Sequence, residues 1–222
     1  MEFGGNALAA AGWLVLFLLG TVLILPGAWV FAGWSRWFCR NLEFSDGSRA
    51  EFTGRGGDVL GWWVLALVSG GIRFYPAINI GILVPNHWSV TVFLFPLSCL
   101  GWWQVLRWFV RNVRFSSGAR YEFTGGYWEL VGWYVLNAVA VVTVIGWAWS
   151  WAGMYRWLAR NTRTEELSLR FHGEGQQVLW RIVAAVVMSL GVVTIPWAWL
   201  WYTRWLVANV TVEGQVGEAA VE

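Results

Sequence analysis

Residues 123–161 decide the fold of this chain and read FTGGYWELVGWYVLNAVAVVTVIGWAWSWAGMYRWLARN. Three other segments follow the same pattern, since each opens with Phe-x-Gly and closes with Arg-Trp, three further residues and Asn. The opening Phe and the closing Asn are 38 positions apart in three segments and 60 apart in the second, an insertion of 22 residues. Self-similarity of this kind is typical of tandem structural repeats. We therefore predict a single domain over residues 1–222, with repeats at 3–41, 52–112, 123–161 and 171–209, an insertion at about 71–92, and a C-terminal strand and tail at 210–222.

Each repeat has the pattern of two helices. About 20 apolar residues follow the opening Phe and end near Pro26, Pro96, Gly146 or Pro196. A shorter aromatic segment of about 15 residues then leads to the closing Asn. At 1.5 Å per residue these segments would be about 28 Å and 22 Å long as helices. We predict one helical hairpin per repeat and about eight helices in the chain.

Composition and charge pattern indicate the class of protein. Hydrophobic residues make up 58% of the chain and charged residues 13%, whereas a soluble domain usually carries about 25% charged residues. The segments 3–35, 74–106, 130–155 and 182–203 contain no Asp, Glu, Lys or Arg, and each exceeds the roughly 18–20 residues that cross a bilayer. The predicted fold class is therefore an all-α polytopic membrane protein. This class excludes soluble enzymes, nucleic-acid-binding proteins and secreted disulfide scaffolds.

The polar segments between repeats predict short β-hairpins. Alternating residues flank Asp46-Gly47, and the counterpart segment turns through Ser117-Gly118; such pairs provide the positive φ that a tight hairpin turn needs. The chain opens with half of such a hairpin and closes with the other half, in Val210-Thr211-Val212. We expect the terminal strands to pair and to close the four repeats into a pseudo-fourfold ring.

The distribution of arginine predicts orientation. With two crossings per repeat, 14 of the 15 Arg and all 13 acidic residues lie at one end of the hairpins, and Arg73 in the insertion is the exception. Because Arg and Lys near helix ends accumulate on the cytoplasmic side, this end and both termini are predicted to be cytoplasmic.

The third repeat carries a resemblance to a known family. Its Phe-x-Gly opening, the polar Asn137 and Thr143 before the break at Gly146, and the closing aromatic-basic helix are similar to the YjgN family of bacterial inner-membrane proteins. The chain departs from that family in its many Trp residues, its lack of Lys and its shorter length. The resemblance implies a multi-pass protein of the bacterial inner (cytoplasmic) membrane. It implies no catalytic residues, because the family has no established biochemical function.

Four arginines at equivalent positions of the repeats are the candidate binding residues: Arg36, Arg107, Arg156 and Arg204. Two interpretations are open. They either anchor helix ends among lipid headgroups or form a ring of guanidinium groups that binds an anionic lipid headgroup or another anionic ligand.

Catalytic and metal-binding patterns are absent from the sequence. It has no nucleophile elbow, zinc-protease motif or phosphate-binding loop, and its two histidines, His87 and His172, are predicted at opposite ends of the hairpins. Cys39 and Cys99 are interpreted as small packing residues. We expect no enzyme activity, cofactor or metal.

The predicted function is that of an integral inner-membrane protein of structural or partner-binding type, and the alternative is a channel or transporter for a small or lipidic solute. The expected partners are the lipid bilayer and anionic lipids, with a membrane-protein partner or a second copy of the chain as further possibilities, and no nucleic acid.

Overall fold

The computed structural model describes residues 1–44, 49–71, 87–115, 120–143, 145–164 and 167–214. The helices come in pairs that are separated by short strands. In chain order the helices are α1 Ala7–Leu23, α2 Gly27–Arg40, α3 Gly56–Gly71, α4 His87–Arg111, α5 Tyr127–Ala140, α6 Gly146–Arg160, α7 Gly175–Ser189 and α8 Ile195–Ala208. The strands are β1 Glu2–Phe3, β2 Leu42–Glu43, β3 Ala50–Phe52, β4 Val113–Phe115, β5 Glu122–Phe123, β6 Thr162–Arg163, β7 Leu167–Phe171 and β8 Val210–Gly214.

The helices form a closed ring. Each helix contacts the next one along the chain, and α8 returns to contact α1. The first and second helices of a repeat are antiparallel. The described turns between them, in the first, third and fourth repeats, therefore lie at one end of the molecule, the tip end, and the strands lie at the other, the strand end.

The strands pair mainly within repeats. Antiparallel pairs join β1 to β2, β3 to β4, β5 to β6 and β7 to β8. Among the described residues, the predicted hairpins between repeats show the bridges Glu43–Arg49 and Arg114–Arg120 and the Arg163–Ser168 pairing of β6 with β7. In the part of the chain that the structure describes, each terminal strand pairs inside its own repeat, so helices α1 and α8, rather than a pairing of the terminal strands, close the ring.

The repeated residues of the sequence form one recurring cluster, which we call the clasp: the opening Phe, the Gly two residues later, the closing Trp and the closing Asn. The Phe ring meets the Trp ring edge-on in every repeat, at centroid distances of 5.6, 5.1, 5.5 and 6.1 Å. The four pairs are Phe3–Trp37, Phe52–Trp108, Phe123–Trp157 and Phe171–Trp205. Edge-to-face pairs of this kind contribute about 0.5–1.5 kcal/mol beyond the area that they bury.

The Asn of each clasp ties the two ends of its repeat together by hydrogen bonds. In the third repeat, the Nδ2 group of Asn161 donates to the Trp157 carbonyl at 2.9 Å, and the Asn161 carbonyl accepts from the Thr124 amide at 2.9 Å. Equivalent bonds of 2.7–3.0 Å recur in the other three repeats at Asn41, Asn112 and Asn209. One residue therefore ends the second helix with its side chain and holds the strand that precedes the first helix with its main-chain carbonyl.

The prediction of an all-α polytopic membrane fold is wrong. The eight strands contradict an all-α class. Within the described ranges, no helix combines the length and the apolarity that crossing a lipid bilayer requires. The predictions that followed from it, a multi-pass location in the bacterial inner membrane with both termini cytoplasmic, are overturned by the same finding.

The physical reason lies in where the helices break. The predicted break at Gly146 is where α6 begins, but α5 ends earlier, at Ala140, because Val141–Thr143 form a turn; α5 therefore has 14 residues rather than the predicted 20 or so. The longest first helix of a described hairpin, α1, has 17 residues, which is about 26 Å of helix against a hydrocarbon core of about 30 Å. Helix α4 is longer, with 25 residues; it contains Pro96 in its interior and carries Arg107 and Arg111 in its last turns.

The clasp glycine leaves no room for a side chain. A Cβ atom added at Gly125 would lie 2.5 Å from the Phe123 ring and 2.8 Å from the Trp157 ring, whereas one added at Gly126 would meet nothing closer than 3.5 Å. We expect Gly125→Ala to lower the free energy of unfolding by about 1–3 kcal/mol, the usual cost of overpacking. The neighbouring Gly126→Ala is the matched control and should stay within about 0.5 kcal/mol of the parent. Equal stability of the two variants in denaturant titrations followed by circular dichroism would contradict this account of the clasp.

Candidate functional site

The four predicted arginines lie near the ends of the second helices, and two of them bind the backbone of the following repeat. The Nη2 group of Arg36 donates to the Gly54 carbonyl at 2.8 Å, and that of Arg204 donates to the Gly5 carbonyl at 3.0 Å. Gly5 and Gly54 are clasp glycines. Arg204 therefore joins the last repeat to the first and reinforces the closure of the ring.

The other two arginines make different contacts. The guanidinium of Arg107 lies 4.7 Å from the centroid of the Trp103 ring. Trp103 Nε1 donates to the carbonyl of the clasp glycine Gly125 at 2.9 Å. At this junction a tryptophan therefore makes the hydrogen bond that an arginine makes at the junctions of Arg36 and Arg204. Arg156 donates from Nε to the Ala152 carbonyl of its own helix at 3.2 Å. The arginines therefore hold neighbouring repeats together at two junctions and support a tryptophan at a third. Binding of an anionic headgroup by these four residues stays a prediction.

The interior near the strand end is apolar. A cavity of about 130 Å³ lies between the strands and helices α2 and α4, and the surface that lines it is contributed by apolar atoms. Residues from all parts of the chain surround it, including Met1, Phe44, Phe115, Tyr121 and Leu169. Such a lining offers no polar path for a solute through this part of the molecule.

The outer surface toward the tip end is apolar as well. Thirty large apolar side chains of the described residues are exposed, and they come from all four repeats. Isolated exposed apolar residues are common, but contiguous ones mark an interaction surface. Those in the middle of the first helices form what we call the apolar band: Val15, Leu16, Leu18, Leu19, Val135, Leu136, Val139, Val183, Val186 and Val187.

The described turns between the two helices of a repeat are also apolar, which is unusual because turns on a surface in contact with water are normally polar. Val142 is 82% exposed and Leu190 79% exposed. We call the exposed residues of these turns the apolar tips: Leu23, Leu25, Val141, Val142, Ile145, Leu190, Val193 and Ile195. The apolar residues on both sides of each predicted break are a signal for these turns in the sequence, although the same residues fit the pattern of helices.

Two polar side chains that the sequence analysis singled out have partners within the protein. Asn137 donates from Nδ2 to the Trp133 carbonyl at 2.9 Å and contacts Met154 Sδ of the partner helix at 3.6 Å. His172 lies at the strand end, where its Nε2 is 2.8 Å from the Thr211 hydroxyl. Within the described ranges, no three His, Cys, Asp or Glu side chains are grouped so that they could hold a metal ion. The predicted feature around Arg73 lies outside the described residues.

No known protein family, curated protein or solved structure matches this chain. The resemblance to the YjgN family therefore stays a prediction.

The closure of the ring by Arg204 can be tested with one substitution. We expect Arg204→Gln to lower the free energy of unfolding by about 0.5–1.5 kcal/mol, the usual net worth of a hydrogen bond, and to increase hydrogen exchange in α1 and α8. Arg163→Gln, an exposed arginine of β6, is the matched control and should change neither quantity. A uniform increase in exchange over all helices would contradict a local role for Arg204.

The buried cysteines should be unreactive in the folded protein. Burial raises the pKa of Cys39 to about 12 and that of Cys99 to about 11. Because the thiolate is the nucleophile, raised pKa values leave very little reactive form at pH 8. We expect N-ethylmaleimide to modify neither cysteine in the native protein and both after unfolding, as measured by intact mass. Rapid native modification of Cys39 would show that its site is open to water.

Proposed function

We propose that this protein is a non-enzymatic lipid-binding protein that packs lipid acyl chains against the apolar tips and the apolar band. The observation that supports the proposal most strongly is the exposure of large apolar side chains on helices and turns alike. Removing such surface from water is favourable by roughly 25 cal/mol per Å². A surface of this kind is therefore stable when an apolar partner covers it.

The arrangement of the band around the ring favours acyl chains over a single protein partner. The band residues belong to α1, α5 and α7, which are in the first, third and fourth repeats. A rigid partner of ordinary size covers about 800 Å² on one side of a protein. Fluid acyl chains can cover several sides of a closed ring at once, because they adapt to its outline.

The separation of charge along the hairpins fits an amphiphile. The described residues of the three apolar turns, 23–25, 141–143 with 145, and 190–195, contain no ionisable side chain, whereas the strands carry Glu2, Glu43, Glu51, Arg114 and Arg163. Trp128 and Trp180 are exposed near the strand-end starts of α5 and α7. An indole ring suits such a boundary because its body is apolar and its N–H prefers a polar neighbour. Acyl chains would lie toward the tips and headgroups toward the strand end.

A vesicle flotation experiment tests the proposal. The full-length chain, isolated in dodecyl maltoside, is mixed with phosphatidylglycerol vesicles, and the detergent is then removed. We expect the parent protein to float with the vesicles. Val142→Asp combined with Leu190→Asp should reduce the fraction that floats by about tenfold or more, because the two changes place charge where acyl chains would lie.

The control for this experiment is the same kind of substitution, an exposed apolar residue replaced by Asp, at the strand end of the molecule. Leu8 is 83% exposed, like the two tip residues, but it lies in the first turn of α1 at the strand end. Leu8→Asp should float like the parent protein. Equal flotation of the tip variant and the control would overturn the proposal. It would also be overturned if the parent protein formed a lipid-free oligomer, in detergent-free buffer, that buries the tips between copies of the chain.

A further inference from the structure

The fourth repeat departs from the others at one position of its first helix. Ten residues after the opening Phe stand Trp13, Trp62 and Trp133 in the first three repeats, but Arg181 in the fourth. In the first and third repeats this Trp packs on a glycine of the second helix. A Cβ added at Gly33 or at Gly153 would lie 2.7 or 2.6 Å from the tryptophan ring.

The partner position has changed as well. Gly33 and Gly153 stand eight residues before the closing Asn, and the fourth repeat has Trp201 there. A Trp on the first helix facing a Gly on the second is therefore replaced by an Arg facing a Trp. The guanidinium of Arg181 lies 4.9 Å from the ring centroids of both Trp201 and Trp205. The two exchanges preserve a helix contact while replacing an apolar side chain by a cation.

A groove of about 640 Å³ lies at this place between α7 and α8. Its lining includes the Arg181–Trp201–Trp205 stack, the exposed ring of Trp180, and the polar side chains of Gln177 and Asn209. Arg181 and Glu174 are its charged lining residues. In the described part of the chain, Arg181 forms no ion pair or hydrogen bond, so the N–H donors of its guanidinium are free for a ligand.

The two charges are spaced along one helix face. Glu174 and Arg181 are seven residues apart, which is about two turns or roughly 10 Å along the axis. The aromatic stack holds the guanidinium in place through cation–π attraction, which leaves its edge donors unused. A negative and a positive group of one ligand could therefore be bound at the same time, with the positive group toward Glu174.

We propose that this groove binds a zwitterionic amino-phosphate group, with the phosphate on Arg181 and the ammonium beside Glu174. A simple anion would leave the Glu174 carboxylate opposed to the ligand, whereas a zwitterion uses both charged side chains of the groove. The same chemistry occurs in the headgroup of an aminophospholipid and in free glycerophosphoethanolamine. If the ligand is an aminophospholipid, the proposal rests on the proposed lipid-binding function. If the ligand is free glycerophosphoethanolamine, it does not.

Calorimetric titration with soluble headgroups tests the groove directly. We expect the full-length protein in dodecyl maltoside to bind glycerophosphoethanolamine about tenfold or more tightly than glycerophosphoglycerol, which lacks the ammonium. Arg181→Gln should weaken binding of the former by roughly 10- to 100-fold, because charge-assisted hydrogen bonds to phosphate are lost. Glu174→Gln should abolish the preference between the two compounds. Equal affinity of the parent protein for both compounds, or unchanged binding by Arg181→Gln, would overturn the proposal.

A second variant separates loss of the groove from loss of the fold. Arg181→Trp combined with Trp201→Gly rebuilds the Trp–Gly contact of the first and third repeats, so it should keep the Tm of the parent while losing headgroup binding. Arg163→Gln is the control arginine and should bind as the parent does. Retained binding by the rebuilt variant would overturn the assignment.

Vesicles distinguish the two sources of the ligand. Flotation on pure phosphatidylglycerol vesicles reports the apolar tips alone and should be the same for the parent and for the rebuilt variant. If the ligand is an aminophospholipid, adding phosphatidylethanolamine to the vesicles should increase flotation of the parent protein. If the protein binds the soluble headgroup but flotation does not increase, the ligand is free glycerophosphoethanolamine. If flotation on phosphatidylglycerol fails while the soluble headgroup binds, the lipid-binding function is wrong and the groove assignment stands.

Discussion

The edge-on contact between the opening Phe and the closing Trp is the interaction on which the rest of the structure depends. It occurs in all four repeats, and it accounts for the other repeated residues. In the first three repeats the Gly of Phe-x-Gly passes so close to both rings that a Cβ would overlap them, and in the fourth repeat a Cβ would overlap the Phe ring. The Asn hydrogen-bonds the carbonyl of the same Trp and accepts from the residue after the Phe. Each hairpin is therefore closed at its strand end by the residues that define the repeat.

Closure of the ring follows from the clasps. In the first three repeats the carbonyl of the clasp glycine lies at the junction with the preceding repeat, where an arginine or tryptophan of that repeat donates to it. Arg36, Trp103 and Arg204 do so at three junctions. Because the donor and the clasp carbonyl recur along the chain, the last repeat can bind the first repeat in the same way as neighbouring repeats bind each other. For this reason the terminal strands can pair within their own repeats while the molecule still closes.

The fourth repeat shows how one unit of such a ring can acquire a separate role. Its first helix, α7, contacts α6 of the third repeat, and its second helix, α8, contacts α1 of the first repeat. Because these contacts close the ring, a change confined to the space between α7 and α8 leaves the ring intact. The paired exchange at Arg181 and Trp201 is confined to that space. It places a cation among aromatic rings at a groove, while the apolar tips keep the same chemistry in the described turns of the first, third and fourth repeats.

The sequence by itself determined the repeat spacing, the helix pairs and the residues of the clasp, because periodic Phe, Gly, Trp and Asn positions are visible without coordinates. Tertiary structure alone decided how far each helix extends. The break near Gly146 is visible in the sequence, but an uncharged run does not show how many residues a turn takes from the helix before it. Helix α5 ends at Ala140 and has 14 residues, fewer than the roughly 18–20 that cross a bilayer. The partners of the arginines were also beyond the sequence. Whether Arg204 faces a ligand or the Gly5 carbonyl depends on residues 199 positions apart meeting in space, and no local pattern records such a contact.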